Sequence, residues 1–268
     1  MAIQYFLKLY KAPRAIATST YYYPLQRIAE VGAWAGSVAR QMPSDVELNI
    51  FCVPAPPDLT EQCRFSNGFV GILSATAFVD TEQEAIATLG LLETCPGASA
   101  CLRMEVNQST PLAALLDKSG RLWPERHRYL ADTLWSNSLP AQVLGTVRDY
   151  FLQAPSSKSV AICSFSTGVA GNLLLPDAAF SMTAETLLMC YAIWERPEND
   201  ASNAVWHRET IAALDSFAVG HYVGESDILS DPARAERSFA RENWRRLQAL
   251  RRTYDPDALF MGFSAHTI

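Results

Sequence analysis

The stretch ENWRRLQALRRTYDPDALF, Glu242–Phe260, closes the last helical pattern of the chain. Phe239, Asn243, Leu247 and Leu250 fall at i, i+4, i+8 and i+11, so they share one stripe, with Ala240 and Trp244 beside it. An asparagine on an apolar stripe must satisfy its amide within the protein or at a ligand. Both readings are open: a hydrogen bond to neighbouring backbone, or a contact with a bound group. Arg234, Arg237, Arg241, Arg245, Arg246, Arg251 and Arg252, with Glu236 and Glu242 among them, read as a solvated face. Tyr254-Asp255-Pro256-Asp257 stops the helix, because the residue before a proline is pushed out of the helical region. Upstream, the pattern runs back to Pro232 at the first helical position, with Asp231 as N-cap.

Working outward, the chain alternates strand and helix patterns. IQYFLKLY and AIATSTYYYP read as strands, the second closed by Pro24. Leu25, Ile28, Val31, Ala35 and Val38 keep helical spacing. DVELNIFCVPAP, GFVGILSATAFV, ACLRMEVNQ, SVAICSFSTG, ETLLMCYAIW and FAVGHYVGE read as strands. Thr81 and Glu84 have the spacing of a capping box, and Ser109 is placed to cap a short helix. Helical patterns are expected over 125–136, 140–154 and 201–217, with a loop over 169–180. The pattern predicts a single α+β domain over 1–268: an antiparallel or mixed sheet, covered on one face by helices. The other face is left to be covered by something else, or to bind something.

The composition bounds the function. Of 268 residues, 49% are hydrophobic and the formal charge is −6. That is globular, and it argues against nucleic acid as the main partner. No apolar run reaches the roughly 20 residues of a membrane span, and the N-terminus lacks the pattern of a secretory signal. Cys52, Cys63, Cys95, Cys101, Cys163 and Cys190 form no pairing framework and read as reduced core residues of a cytoplasmic protein. His127, His207, His221 and His266 are scattered, so no metal site is expected. HExxH, Walker and GxGxxG motifs are absent, and Ser164 stands where a nucleophile elbow needs glycine.

The ending resembles the C-terminal signature of the berberine-bridge-enzyme-like FAD-linked oxidases, in the vanillyl-alcohol-oxidase superfamily. Asn243, Trp244, Arg246, Leu247, Tyr254, Asp255, Pro256 and Phe260 match it in order and spacing. FLKLYKAPRAIATSTYYYP is similar to the family's passage into the substrate domain. LPDAAFSMTAETLLMCYAIW resembles the region that leads into a roof strand, although Ser181, Met182 and Thr183 replace a frequent Pro-His-Arg. GHYVGESD resembles the strand before the final helix, within a C-terminal segment of about 220–263. The family's preceding FAD-binding domain has no counterpart here. The resemblance therefore implies a substrate domain, with FAD held mainly by a partner domain or subunit.

It also implies a mechanism, in which the substrate lies between the sheet and the flavin and a base on the sheet takes a proton. Strand alternation puts Glu185, Leu187, Met189, Tyr191 and Ile193 on one face, and Thr186, Leu188, Cys190, Ala192 and Trp194 on the other. The first face, with its tyrosine and carboxylate, is read as the flavin side. Tyr191 and Tyr222 are the candidate catalytic residues, Tyr222 being preferred to His221. Met189 and Glu185 are candidate substrate contacts, Asn243 the candidate cofactor contact, and Glu195 a lesser carboxylate candidate. Tyr191 reads equally as a core tyrosine with its hydroxyl at the sheet edge. Two functions stay open. One is the substrate-binding domain, subunit or fragment of an FAD-dependent oxidoreductase acting on a small organic molecule, with oxygen as acceptor. The other is a non-enzymatic orphan domain that binds a small molecule or a protein. An uncovered sheet face also predicts a homodimer when the chain is alone.

Overall fold

The structure, a computed structural model, describes residues 6–9, 11–95, 100–168, 179–260 and 262–263. The strand expected at 3–10 falls partly outside them, and Phe6–Leu9 carry no regular structure. Most of the loop expected at 169–180 also lies outside the described residues.

The β-branched and aromatic run Ala15–Pro24 forms β1, and Pro24, with no N–H to donate, ends it. The other strands are β2 (Val46–Pro54), β3 (Phe69–Val79), β4 (Arg103–Ser109), β5 (Arg128–Ser136), β6 (Val160–Phe165), β7 (Thr186–Trp194) and β8 (Ala218–Gly220). The helices are α1 (Ile28–Ala39), α2 (Glu82–Leu89), α3 (Leu112–Gly120), α4 (Pro140–Phe151), α5 (Asp200–Leu214), α6 (Ala233–Arg237) and α7 (Arg241–Tyr254). The strands form one sheet in the order β4-β1-β3-β2-β6-β7-β5-β8, and every neighbouring pair is antiparallel. The fold is thus α+β, with an antiparallel rather than a mixed sheet.

The two sheet faces differ as strand alternation requires. On one, Tyr21, Tyr23, Leu48, Ile50, Leu73, Cys163, Leu188, Cys190 and Ala192 join the larger core, with buried residues of α1, α2, α4 and α5. On the other, Tyr22, Val53, Val70, Val160, Tyr191 and Ile193 join a smaller one. Leu59, Cys63 and Trp123, from the excursions at 55–68 and 120–127, cover one end of that second face. All six cysteines are free. Burial among apolar neighbours pushes the Cys163 and Cys190 thiols up to about 12, which leaves them unreactive.

Of the strand expected over FAVGHYVGE only Ala218–Gly220 is strand, and the helix expected to begin at Pro232 begins at Ala233 with Pro232 as its N-cap residue. Three further local expectations differ from what is found. The 125–136 pattern, expected to be helical, is β5. Leu130 and Leu134 are four apart, a spacing that keeps one face of a helix and also one face of a strand. Asp132 between them breaks the apolar alternation, yet it is buried there and paired with Arg234. Ser109 belongs to β4, and α3 starts without a side-chain cap. The last helix is two helices. Ser238 Oγ donates to the Arg234 carbonyl at 2.8 Å, and Ser181 Oγ accepts the Ala240 N–H at 2.8 Å. These side-chain bonds compete with the helical ladder and separate α6 from α7. The capping box is present: Thr81 accepts from the Glu84 N–H, and Glu84 accepts from the Thr81 N–H.

Candidate active site

The second face is built of cross-strand rows, fixed by the register. One row reads Arg103–Tyr22–Ile72–Phe51–Ile162–Met189–Thr133 from β4 to β5. Two residues along each strand, the next reads Glu105–Thr20–Ser74–Asn49–Ser164–Leu187–Trp135. The first row is apolar across its middle, and the second is polar over five strands, from Glu105 to Ser164. Phe51, Ile72, Ile162, Met189, Asn49 and Ser164 are all half-buried. The helices that build the larger core lie on the opposite face. At the β4 end, the Arg103 guanidinium stacks 3.8 Å over the Tyr22 ring and pairs with Asp58 at 2.8 Å, closing the apolar row.

Tyr191 occupies the row on the other side of Met189. Its hydroxyl donates to Glu225 Oε2 at 2.5 Å, and Trp123 packs edge-on against its ring at 4.5 Å. Burial, then the Glu225 carboxylate, push the phenol well above its ordinary value. Tyr191 is therefore a phenol near neutral pH, a hydrogen-bond donor rather than a ready base. The proton acceptor of this pair is Glu225.

Glu225 is held in place through β5. The Thr133 hydroxyl accepts the Tyr222 N–H at 2.9 Å, and the His221 ring donates from Nδ1 to the Thr133 carbonyl at 2.6 Å. Asp132, 1% exposed, pairs with Arg234 of α6. These bonds clamp residues 221–234 across β5 and carry Glu225 over to Tyr191. Burial lowers the affinity of His221 for a proton, so it sits neutral.

The structure brings Tyr191 and Met189 to one face, as alternation predicts. Tyr222 is about a third exposed and packs edge-on against Phe180 at 6.3 Å. Phe180 in turn meets Trp135 at 6.4 Å, so Tyr222 belongs to an aromatic group at the β5 end. His221 is buried instead. Glu185 is not brought to this group. It precedes β7, and its carboxylate pairs with Arg40 at the end of α1, on the helix side. Glu195 is exposed just past β7. Asn243 is half-buried on α7, a helix that buries no residue. The stripe expected around it is broken, since Phe239 precedes α7 and Leu250 is 45% exposed. Phe239, Trp244 and Phe263 cluster instead, with ring centroids 5.5–6.3 Å apart. Sequence reasoning missed Glu225, Trp123 and Thr133; of these only Glu225 carried a signal, inside GHYVGESD. Among the described residues no group of three His, Cys, Asp or Glu side chains could hold a metal ion. Nor is any helix long and apolar enough to cross a membrane.

No family model matches the chain. The FAD-linked oxidoreductase nodO of Hypoxylon pulicicidum is 22% identical over 264 residues, 98% of this chain and 55% of that protein. Among solved structures, Physcomitrella patens BBE-like 1 superimposes with a TM-score of 0.71 at 14% identity, covering 95% of this chain and 54% of that one. The fold is the berberine-bridge-enzyme-like fold. Two further structures share it. 6-Hydroxy-D-nicotine oxidase from Arthrobacter nicotinovorans gives a TM-score of 0.69 at 13% identity over 94% of this chain and 54% of that one. Berberine bridge enzyme bound to (S)-reticuline gives 0.66 at 12% over 92% and 54%. The chain spans about half the length of each relative it matches. The berberine-bridge-enzyme-like fold agrees with the resemblance read from Asn243–Phe260.

Proposed function

We propose that this chain is the substrate-binding half of an FAD-dependent oxidoreductase, acting on a small organic alcohol, amine or phenol with oxygen as acceptor. The observation that carries the reading is the Tyr191–Glu225 pair at the margin of a half-buried sheet face. The share of relatives covered supports it: FAD-linked oxidoreductase nodO matches over 55% of its length.

The residues present fit FAD in one part only. The level row of Phe51, Ile72, Ile162 and Met189 suits a flat molecule stacked beneath a planar ring. The sequence has no glycine-rich phosphate loop, so a partner domain or subunit would hold the nucleotide. When bound, the flavin supplies a two-electron acceptor that oxygen regenerates. This chain's residues do the rest. The apolar row binds and orients the substrate body and excludes water. Glu225 takes the proton of the reacting hydroxyl or amine, and the Tyr191 O–H holds that carboxylate in place. Tyr222, beside Phe180, walls the substrate at the β5 end. Asn243, on a helix that buries no residue, faces the flavin-bearing partner. The six free cysteines support a reducing, cytoplasmic setting.

The test uses the flavin-loaded assembly, screened with alcohols, amines and phenols for peroxide formation. With the best substrate, Glu225→Gln should lower turnover about 10²-fold or more, with an unchanged melting temperature. Parent-level turnover in that variant would overturn the assignment.

A further inference from the structure

The pattern of the second sheet face also defines its ligand. The apolar middle row is flanked on both sides by polar groups. On one side stand Asn49 and Ser164, register partners on β2 and β6. Their neighbours satisfy one another: the Thr18 and Thr76 hydroxyls are 3.2 Å apart, and those of Thr20 and Ser74 are 3.5 Å apart. The half-buried Asn49 amide and Ser164 hydroxyl make no such bond among the described residues. On the other side stands the Tyr191–Glu225 pair. Ser164 is level with Leu187, and Leu187 is four residues from Tyr191 along β7. At 3.3–3.4 Å per residue, the two polar margins are therefore about 13 Å apart at the backbone, and closer at the side-chain tips.

Resting on the reading of this face as a substrate face, we propose that its ligand is a bipolar molecule with a flat apolar body. A fused-ring or similarly rigid body lies over Phe51, Ile72, Ile162 and Met189. One hydroxyl, carbonyl or amide docks on Asn49 and Ser164. The reacting hydroxyl or amine, at the opposite end, meets Glu225. Compact sugars lack the apolar body, and wholly apolar hydrocarbons leave Asn49 and Ser164 unpaired, so the face selects against both. Asn49 and Ser164 are specificity residues, remote from the reacting atoms.

The test uses the 268-residue chain alone, labelled at isoleucine and methionine methyls, so it does not depend on flavin. The probes are 2-acetylnaphthalene, whose carbonyl accepts from Asn49 and Ser164 and has no proton to give Glu225, and its apolar isostere 2-isopropenylnaphthalene. Methyl shifts are expected at Ile72, Ile162 and Met189 and not at the helix-side Ile28 and Ile50. One added hydrogen bond should favour the ketone by about five- to tenfold. Asn49→Leu with Ser164→Ala should bring the two probes to within about twofold of each other. Equal binding of both probes to the parent chain, or shifts confined to the helix side, would refute the proposal. Concentration-dependent shifts of the same methyls that neither probe displaces would also refute it, and would assign the face to a second copy. Failure to find flavin with the chain would instead sink the oxidoreductase reading and leave this binding result standing.

Discussion

Replacing Asp132 with alanine should unfold the clamp that carries Glu225. Asp132 is 1% exposed and its partner Arg234 is 13% exposed, so both charges are largely out of water. The second Asp132 oxygen already accepts the Thr133 N–H at 3.0 Å. Removing one partner of a buried pair costs about 3–5 kcal/mol, because the other charge stays buried. Arg234 keeps Asp231 at 3.3 Å, which places the loss near the low end, about 3 kcal/mol. For a chain of this size that lowers the melting temperature by about 6–12 °C. The assay is thermal unfolding with hydrogen exchange of 221–237, which should lose protection first. Joint replacement, Asp132→Leu with Arg234→Met, removes both charges and should recover most of the loss. An Asp132→Ala variant melting within about 2 °C of the parent would refute the clamp.

Other outcomes follow from the same geometry. His207 and His221 are held neutral by burial, so both have depressed proton affinity. Stability is full above about pH 6.5, the ordinary histidine value, and falls as pH drops below it, because only the unfolded chain binds those protons readily; urea midpoints at pH 7.5 and 5.5 check this. Thr81→Ala removes half of a capping box and should cost about 1 kcal/mol by urea unfolding. Asn243→Leu should weaken turnover of the flavin-loaded assembly per folded molecule; a destabilised variant that is fully active per folded molecule would overturn the cofactor-side reading. The chain alone should retain no FAD through gel filtration and should associate with itself as concentration rises, which sedimentation would detect.

Much of this arrangement was legible in the sequence, for reasons that differ by element. β7 is apolar almost throughout, so the backbone alternation of a strand, not a polarity pattern, separated Leu188, Cys190 and Ala192 from Met189, Tyr191 and Ile193, as found. The capping box was visible because both partners lie within four residues. β5 was not legible, since its leucine spacing serves helix and strand alike and its buried aspartate is explained only by an arginine 102 residues away. Glu185 shared the parity of Tyr191, but parity fixes side chains only inside a strand. Just ahead of β7, Arg40 draws it to the other layer. Tyr191 was legible as a residue of the face, whereas its donor role depends on Glu225, 34 residues on. The break before α7 came from two serine side-chain bonds, one to residue 181, that no local pattern contains.

The most direct measurement is flavin content. The chain, tagged and isolated under native conditions from the organism that encodes it, is denatured, and the released flavin is quantified by mass spectrometry against the chain. The account predicts FAD at about one per chain, together with a flavin-bearing domain or subunit. Folded chain carrying no flavin would contradict it.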